Sequence, residues 1–363
     1  MKVALIGDVH ANLPALEAVL AHAHEQGVEA IWNVGDFVGY GAFPDEVVRL
    51  LRKKDVLSIV GNYDLKVLQF KQKKEKWRKK KRPEKYLAFQ WAYENLSKKS
   101  RKYLRFLSRE IRMKVKGRRI LLTHGSPASN EEPLTPDTSE KRLRKLAQMA
   151  KADVIICGHS HRPFAREVDG VWFINTGSVG RPDDDDPRAC YAILQIEPRP
   201  ANLQVRHYRV EYDVERAAAT IRERKLPEVF AQMTLQGRNL EAVMKPKIEA
   251  TTFGSITIGG QKIENDVILR LDGSVKKRKK KLSKRIYGTS HNISLDEAKY
   301  VYEEGAELLI VGTGQYGLVC LSEEAKVYLR KRDCRVELAA TPDAIHLWNE
   351  AKGKVIGLFH VTC

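Results

Sequence analysis

Seven side chains of the kinds that hold divalent cations stand at five points along the chain: Asp8 with His10, then Asp36, Asn62, His124, and finally His159 with His161. Each group directly follows a short apolar run: Val3 to Ile6, Ile31 to Val34, Leu57 to Val60, Ile120 to Thr123 and Val154 to Cys157. Two carboxylates, four imidazoles and one amide oxygen suit Mn, Fe, Zn, Ni or Co better than Ca or Mg. Seven ligands are too many for one ion and enough for two ions that share a carboxylate. Such a pair can hold a bridging hydroxide at neutral pH and clamp a phosphate in line with it. The alternative, seven scattered loop residues with structural jobs, leaves their common position after an apolar run unexplained.

The elements that must position these residues follow from the same pattern. In open α/β sheets, ligands sit outside the carboxyl ends of the strands, so five strand ends can deliver the side chains to one place. Residues 1–62 read strand, helix, strand, helix, strand, with Leu13, Leu16, Val19 and Leu20 forming one buried stripe on the first helix. Residues 64–110 read as helical, divided at Pro83. Their aromatics, among them Trp77, Tyr86, Phe89, Trp91 and Tyr103, read as core faces of helices, with base stacking as the alternative. Lys116-Gly117 and Asp169-Gly170 mark hairpins. A helix over 140–150, strands over 189–196 and 202–210 around Pro198-Arg199-Pro200, and a helix over 213–224 follow. A looser stretch, 225–245, holds the domain boundary. The expected domains are 1–235 and 248–363, joined by a linker at 236–247.

In the second domain, strands over Ser255 to Ile258 and Asp266 to Leu271 are expected around Gly259-Gly260. The stretch Lys276 to Arg285 carries eight basic residues in ten positions and reads as a hairpin edge or exposed loop. Ser294 opens a capping box and Ser322 caps a later helix. Leu308 to Val311, Arg335 to Leu338 and Val355 to His360 read as strands, with a helix over 342–352. Gly312-Thr313-Gly314-Gln315-Tyr316-Gly317 fits the dinucleotide fingerprint G-x-G-x-x-G, after a strand and before an expected helix. The domain is too short for a full doubly wound nucleotide fold, so a tight structural turn is the preferred reading.

Composition narrows the class. The 363 residues suffice for two cores, and 43% hydrophobic content fits a folded protein. No apolar run approaches the roughly 20 residues of a membrane span, so no membrane partner is expected. The first apolar run ends at Asp8, too soon for a signal-peptide core. Five cysteines without a Cys-x-x-Cys pair argue against a disulfide framework or structural zinc, and the reading is cytoplasmic. The net charge of +18 is concentrated: residues 66–119 hold 22 Lys or Arg against 4 Glu, and the rest of the chain sums to about zero. That segment either attracts nucleic acid or another polyanion, or is a solvated helical face.

The ordered series Asp8-x-His10, Gly35-Asp36, Gly61-Asn62-x-Asp64, His124 and Gly158-His159-Ser160-His161 resembles the calcineurin-like metallophosphoesterases. The opening Gly7 to Leu20 and the stretch Asn175-Thr176-Gly177-Ser178-Val179-Gly180 resemble the compact prokaryotic branch of that superfamily. The resemblance covers about residues 1–235 and implies a four-layer α/β-β/α sandwich followed by a smaller α/β domain. It implies that Asp8, His10 and His161 hold one divalent transition metal, Asn62, His124 and His159 a second, and that Asp36 bridges them. Mn²⁺ is the expected ion, with Fe, Ni, Co and Zn as alternatives. Residues 246–363 resemble the small α/β domain of adipogenesis-associated proteins and a mitochondrial complex I assembly factor. Phe253 to Ile256, Val311 to Gly314, Thr341 to Ala344 and the ending Gly357 to Cys363 carry that second resemblance.

One position departs from the family pattern. Many members carry His after the Gly-Asn pair, in a role of leaving-group protonation or transition-state stabilisation; here it is Tyr63. An unperturbed tyrosine, with a pKa of about 10, is a poor proton donor at neutral pH. Loss of this histidine goes with phosphodiesterase activity in related compact members. A phosphodiester with a good leaving group is therefore the expected substrate; monoester hydrolysis, nuclease action through the basic segment, and a metal-binding scaffold are the alternatives. Asp64 is expected to orient local structure. Arg181 either reaches a substrate phosphate or pairs with the run Asp183 to Asp186. His22 and His24 read as surface residues, and His207, His291, His346 and His360 as structural ones.

Overall fold

The structure is a computed structural model that describes residues 1–198, 203–271 and 273–362. Arg199 and Pro200 of the expected Pro-rich turn, and Cys363, lie outside the described residues. The chain divides into two compact units, Met1–Asn239 and Leu240–Cys363.

The first unit opens with β1 (Lys2–Ile6), α1 (Leu13–Glu25), β2 (Ala30–Asn33), α2 (Pro44–Lys53) and β3 (Leu57–Ser58). Asn12 caps α1 by accepting from the Ala15 N–H, and Pro14 sits in the first turn, where its missing N–H costs nothing. Four helices follow: α3 (Asn62–Leu68), α4 (Phe70–Lys80), α5 (Pro83–Asn95) and α6 (Lys98–Phe106). Pro83 does divide this stretch, as the first residue of α5. Next come β4 (Glu110–Val115), β5 (Arg118–Thr123), α7 (Glu140–Ala150), β6 (Val154–Cys157), β7 (Phe164–Val168) and β8 (Val171–Asn175). The unit ends with β9 (Ala189–Gln195), β10 (Gln204–Val210), α8 (Val214–Glu223) and α9 (Glu228–Gln236).

These strands make two five-stranded sheets, ordered β10-β9-β1-β2-β3 and β4-β5-β6-β8-β7. Alternation along each strand builds the layers. Val3 and Leu5 of β1 meet Ile120, Leu122, Val154 and Ile156 of the other sheet between the two, while Ala4 and Ile6 face α1 and α2. On the far side, Leu121 and Ile155 pack under Leu143 and Leu146 of α7. The result is the four-layer α/β-β/α sandwich. Strands β1, β2 and β3 run parallel, as do β5, β6 and β8, so the loops after β1, β2, β3, β5 and β6 all leave carboxyl ends.

The core-face expectation for the aromatics of the basic segment holds in part: Tyr86, Trp91 and Tyr103 are half-buried and Phe106 is exposed. Phe70, Trp77 and Phe89 are buried, with Trp77 and Phe89 rings 5.3 Å apart. The stretch 225–245, read as loose, instead forms α9 and, in the second unit, α10 (Leu240–Met244), so helix occupies part of the expected linker 236–247. Phe230 and Met233 of α9 are buried. His22, read as a surface residue, is half-buried, and its Nδ1 lies 2.7 Å from the Tyr191 hydroxyl.

The second unit continues with β11 (Ile248–Thr252), β12 (Ser255–Ile258), β13 (Gln261–Ile263), β14 (Val267–Leu269), β15 (Val275–Lys277), α11 (Lys281–Tyr287), β16 (Asn292–Ile293) and α12 (Leu295–Val301). Then come β17 (Leu308–Thr313), β18 (Cys320–Leu321), α13 (Glu323–Arg330), β19 (Arg335–Ala339), α14 (Thr341–Glu350) and β20 (Val355–His360). The mixed sheet β15-β14-β20-β17-β19 has apolar cores on both faces. Leu309 and Val311 of β17 join one core with α12 and α13; Leu308 and Ile310 join the other with α14.

Three expectations change here. Gly259-Gly260 joins β12 to β13, not to β14, which lies in the larger sheet. The basic run 276–285 begins as expected on a hairpin edge, β15 paired antiparallel with β14, but continues into α11, and Arg278 within it is buried. The glycine motif 312–317 does not open a helix, because β18 intervenes before α13. Instead, the Gly314 N–H donates to Thr341 Oγ1 and the Thr341 N–H to the Gly314 carbonyl, which docks the turn on the start of α14. That is the structural-turn reading.

Candidate metal centre

The five strand-end loops converge. Asp8, His10 and His161 place ligand atoms within 4.8 Å of one another, and so do Asp8, Asp36 and His124. All five residues are buried. Asp36 Oδ2 lies 3.8 Å from His10 Nε2 and 3.4 Å from His124 Nε2, between the two groups. Asn62 Oδ1 is 3.1 Å from His124 Nε2. The His159 ring is 5.1 Å from that of His124, but its Nε2 faces the Glu131 carbonyl at 3.1 Å. Nδ1 is therefore the nitrogen that His159 keeps for a ligand.

Hydrogen bonds on the outer side fix which ring nitrogens face inward. His124 Nδ1 donates to the Val34 carbonyl (2.9 Å), His10 Nδ1 to the Val38 carbonyl (3.3 Å) and His161 Nδ1 to the Arg181 carbonyl. In the neutral ring, the form that binds a metal, each Nε2 is then a bare acceptor. His10 Nε2 and His161 Nε2 consequently face each other lone pair to lone pair at 3.1 Å. Beside them, Asp8 Oδ1 is buried with no hydrogen-bond donor among the described residues. Acceptors crowded together away from water are costly unless a cation lies among them. The donor set therefore fits divalent metal ions.

The backbone supports the same reading. Asp8, His10, Asp36, His159 and His161 all have positive φ, between 47° and 67°. For residues with a β-carbon this region costs of order 1 kcal/mol or more each, and such outliers cluster at functional sites. Glycines allow the loops to close together: a β-carbon on Gly61 would strike Asp36, and one on Gly158 would strike the Asp8 carboxylate.

Electrostatics among the protein groups follows from burial and these contacts. Burial alone raises the Asp8 and Asp36 carboxyls, but His161 beside Asp8 and His124 beside Asp36 outweigh it and hold both below the usual range. Burial opposes protonation of His124, yet the charge of Asp36 raises its pKa to about 9. Burial, followed by the charges of Arg181 and His161, holds His10 well below the usual imidazole range. Burial and then His124 lower His159 to about 4.

A second set of residues positions the first. Asp64 accepts from the backbone N–H groups of Asp36 (3.0 Å), Val38 (3.2 Å) and Gly61 (3.0 Å), tying the loops after β2 and β3 together. Tyr63 donates its backbone N–H to Asp36 Oδ1 at 2.7 Å. Its ring stands edge-on to His10 at 5.3 Å, and its hydroxyl is 2.8 Å from that of Tyr40. Burial and then Tyr40 push the Tyr63 phenol well above its ordinary pKa. Asn175 donates to the Gly158 carbonyl (2.8 Å) and Ser178 to the Asp8 carbonyl (2.7 Å), so the Asn-Thr-Gly-Ser loop props two ligand loops.

Arg181 lies over the Tyr40 ring at 4.7 Å. In the acidic run beyond it, Asp184 and Asp186 pair with Arg209, Asp185 with Arg238, and Asp183 with Asn239. Tyr40 is the site residue that the sequence reading misses. Its signal is the pair of flanking glycines, Gly39 and Gly41, four residues after the Asp36 loop begins.

Comparison with known proteins agrees with this geometry. Residues 1–199 match the calcineurin-like phosphoesterase superfamily domain, and residues 248–360 match a protein of unknown function (DUF498/DUF598). An uncharacterized protein of Methanocaldococcus jannaschii is 32% identical over 255 residues, 65% of this chain and 98% of its own. The crystal structure of a metallophosphoesterase from Sphaerobacter thermophilus aligns with 30% identity and a TM-score of 0.54, covering 65% of this chain and 99% of that one. A hypothetical protein from Pyrococcus horikoshii shares the fold, with a TM-score of 0.59 at 22% identity, covering 65% of this chain and 98% of that one. The chain thus belongs to the calcineurin-like phosphoesterase superfamily, a family of metallophosphoesterases, and carries a DUF498/DUF598 domain behind the phosphoesterase domain.

Proposed function

We propose that the chain hydrolyses a phosphodiester at a dinuclear centre. Asp8, His10 and His161 hold one ion, Asn62, His124 and His159 the other, and Asp36 bridges. When bound, two divalent cations activate a water and neutralise non-bridging phosphate oxygens. The surrounding residues supply the rest. The Val34, Val38 and Arg181 carbonyls keep the imidazoles in the acceptor tautomer. Asp64 holds the Asp36 loop in place, and Arg181, adjoining Tyr40 and Tyr63, contributes positive charge beside the substrate phosphate. Mn²⁺ is the proposed ion. A cytoplasmic setting is in keeping with the free thiols of Cys157, Cys190, Cys320 and Cys334, and no helix among the described residues is long and apolar enough to cross a membrane.

The diester reading rests on one observation. The position that carries a proton-donating histidine in many relatives holds Tyr63, whose side chain is half-buried, hydrogen-bonded to Tyr40 and raised in pKa. A leaving group that needs no proton suits this site; a poor one does not. Metal-stripped protein reloaded with Mn²⁺ should turn over a nitrophenyl diester faster than the matching monoester. Tyr63→His should speed a phenyl ester, whose basic leaving group needs a proton, over the matching nitrophenyl ester by about tenfold or more relative to the unaltered protein, the scale of general-acid catalysis. Preferential monoester turnover by the unaltered protein would move the assignment to a phosphatase.

A second reading, nuclease action, has its own support. The basic segment starts beside the centre: Lys66 Nζ is 2.8 Å from Glu131, whose carbonyl holds His159, and lies over the Tyr63 ring at 5.5 Å. A strand held on α4 would thus lead towards the ligands. Oligonucleotide binding that weakens steeply with salt, together with cleavage, would select this substrate class.

A further inference from the structure

The second unit contains a cavity of about 520 Å³, within the range of small-molecule sites. Its wall is built from the basic run 277–281, Leu282, Val361 and Thr362, with Asp266 beneath. The charges on this wall are unequal in what they face. Arg278 is fully buried and neutralised: its guanidinium meets Glu297 at 2.7 Å and Asp266 at 3.2 Å. Asp266 also takes Lys280 at 3.0 Å and the His360 ring at 2.5 Å. Lys279 lies over the Tyr300 ring at 4.1 Å. Lys277 and Lys281 remain, exposed and with no ion pair among the described residues. Glu264 on the same wall is paired with Lys262.

We propose that this cavity binds a small molecule that joins a phosphate or carboxylate group to an apolar body. Lys277 and Lys281 hold the anion, and Leu282, Val361 and the lysine stems cover the apolar part. Thr362, whose hydroxyl is 3.1 Å from His360 Nε2, adds a polar contact fixed in place through the Asp266–His360 pair. A solvated helix face disperses its charges on a convex surface. Here Lys277, Lys279 and Lys281, the cations of the run without an ion pair among the described residues, line a concavity, where low-dielectric walls concentrate the field and favour an anion. The glycine turn 312–317 is not part of the wall. The proposal stands apart from the reading of the metal centre, since none of these residues belongs to the first unit.

Calorimetric titration of the full-length, metal-loaded chain with phenylphosphonate tests it. This probe has the required anion and apolar body and no ester bond to hydrolyse. The expected result is a saturable event that persists in Asp36→Asn and weakens about tenfold or more in a Lys277→Glu, Lys281→Glu double variant, as close charge reversal should produce. Both lysines are exposed, so the double variant should melt as the parent does, and Lys281→Ala alone should fall between. Benzyl alcohol, the uncharged counterpart, should not compete. Absence of any event, or an event lost in Asp36→Asn and untouched by the double variant, would overturn the proposal.

Discussion

The carboxylate of Asp64 holds the backbone of Asp36: Asp64 Oδ2 accepts the Asp36 N–H at 3.0 Å while also accepting from Gly61. Asp64 is buried, and burial together with the charge of Asp36 pushes its pKa up to about 7 against the pull of those donors. The arrangement makes Asp64 a positioning residue for the proposed bridging carboxylate. Asp64→Ala strands three buried N–H groups and should cost of order 3 kcal/mol in chemical denaturation. Metal affinity should fall by about 10–100-fold, as for other groups that orient ligands. Asp64→Asn, which keeps one acceptor oxygen, should lie between.

Asp36→Asn tests the bridge itself. The change is nearly isosteric, so the fold should survive. Turnover should fall by roughly two to three orders of magnitude, and metal content, measured on the purified protein, should drop with it. Full activity with unchanged metal content would contradict the two-ion assignment.

Trp77 separates a packing role from a nucleic-acid role for the basic segment. It is buried against Phe70 and Phe89, with Lys73 and Lys81 over its ring. Trp77→Ala should destabilise the first unit by about 3–5 kcal/mol in a denaturant titration. The folded fraction should keep its affinity for an oligonucleotide if the ring does not stack on bases.

The second unit should lose stability in acid through Asp266. Burial raises this carboxyl, but the hydrogen bond and charge of His360, with Lys280, outweigh burial and hold it at about 2, against an ordinary 3.8. A depressed folded-state pKa stabilises above the unfolded value and ceases to as pH falls through the folded one. The contribution, roughly 2 kcal/mol, should therefore be present near neutral pH and fade between about pH 4 and pH 2. Denaturation curves of the unaltered chain and Asp266→Asn should converge over that window.

The five strand-end motifs were legible because a buried strand of four or five apolar residues followed by a polar loop is a local pattern. So were Pro83 at the start of α5 and the Lys116-Gly117 hairpin, since each acts through its own backbone. Helix α9 was not legible, because its buried Phe230 and Met233 are justified only by what they pack on, Tyr40 among it. Tyr40 itself matters through Tyr63, 23 residues away in sequence.

Arg278 shows the limit most clearly. Within eight basic residues in ten it reads as one more solvated charge, yet it is buried because Asp266 and Glu297, 12 and 19 residues away, supply its counter-charges. The chain alone determined which residue types stand at the strand ends, and hence the metal-ligand chemistry, since side-chain donors and short-range periodicity are properties of the sequence. The tertiary structure decided which nitrogen each histidine turns inward, that Asp64 braces Asp36, and which lysines face a cavity. Those depend on distances between segments remote in sequence, which are set only when the sheets and helices pack.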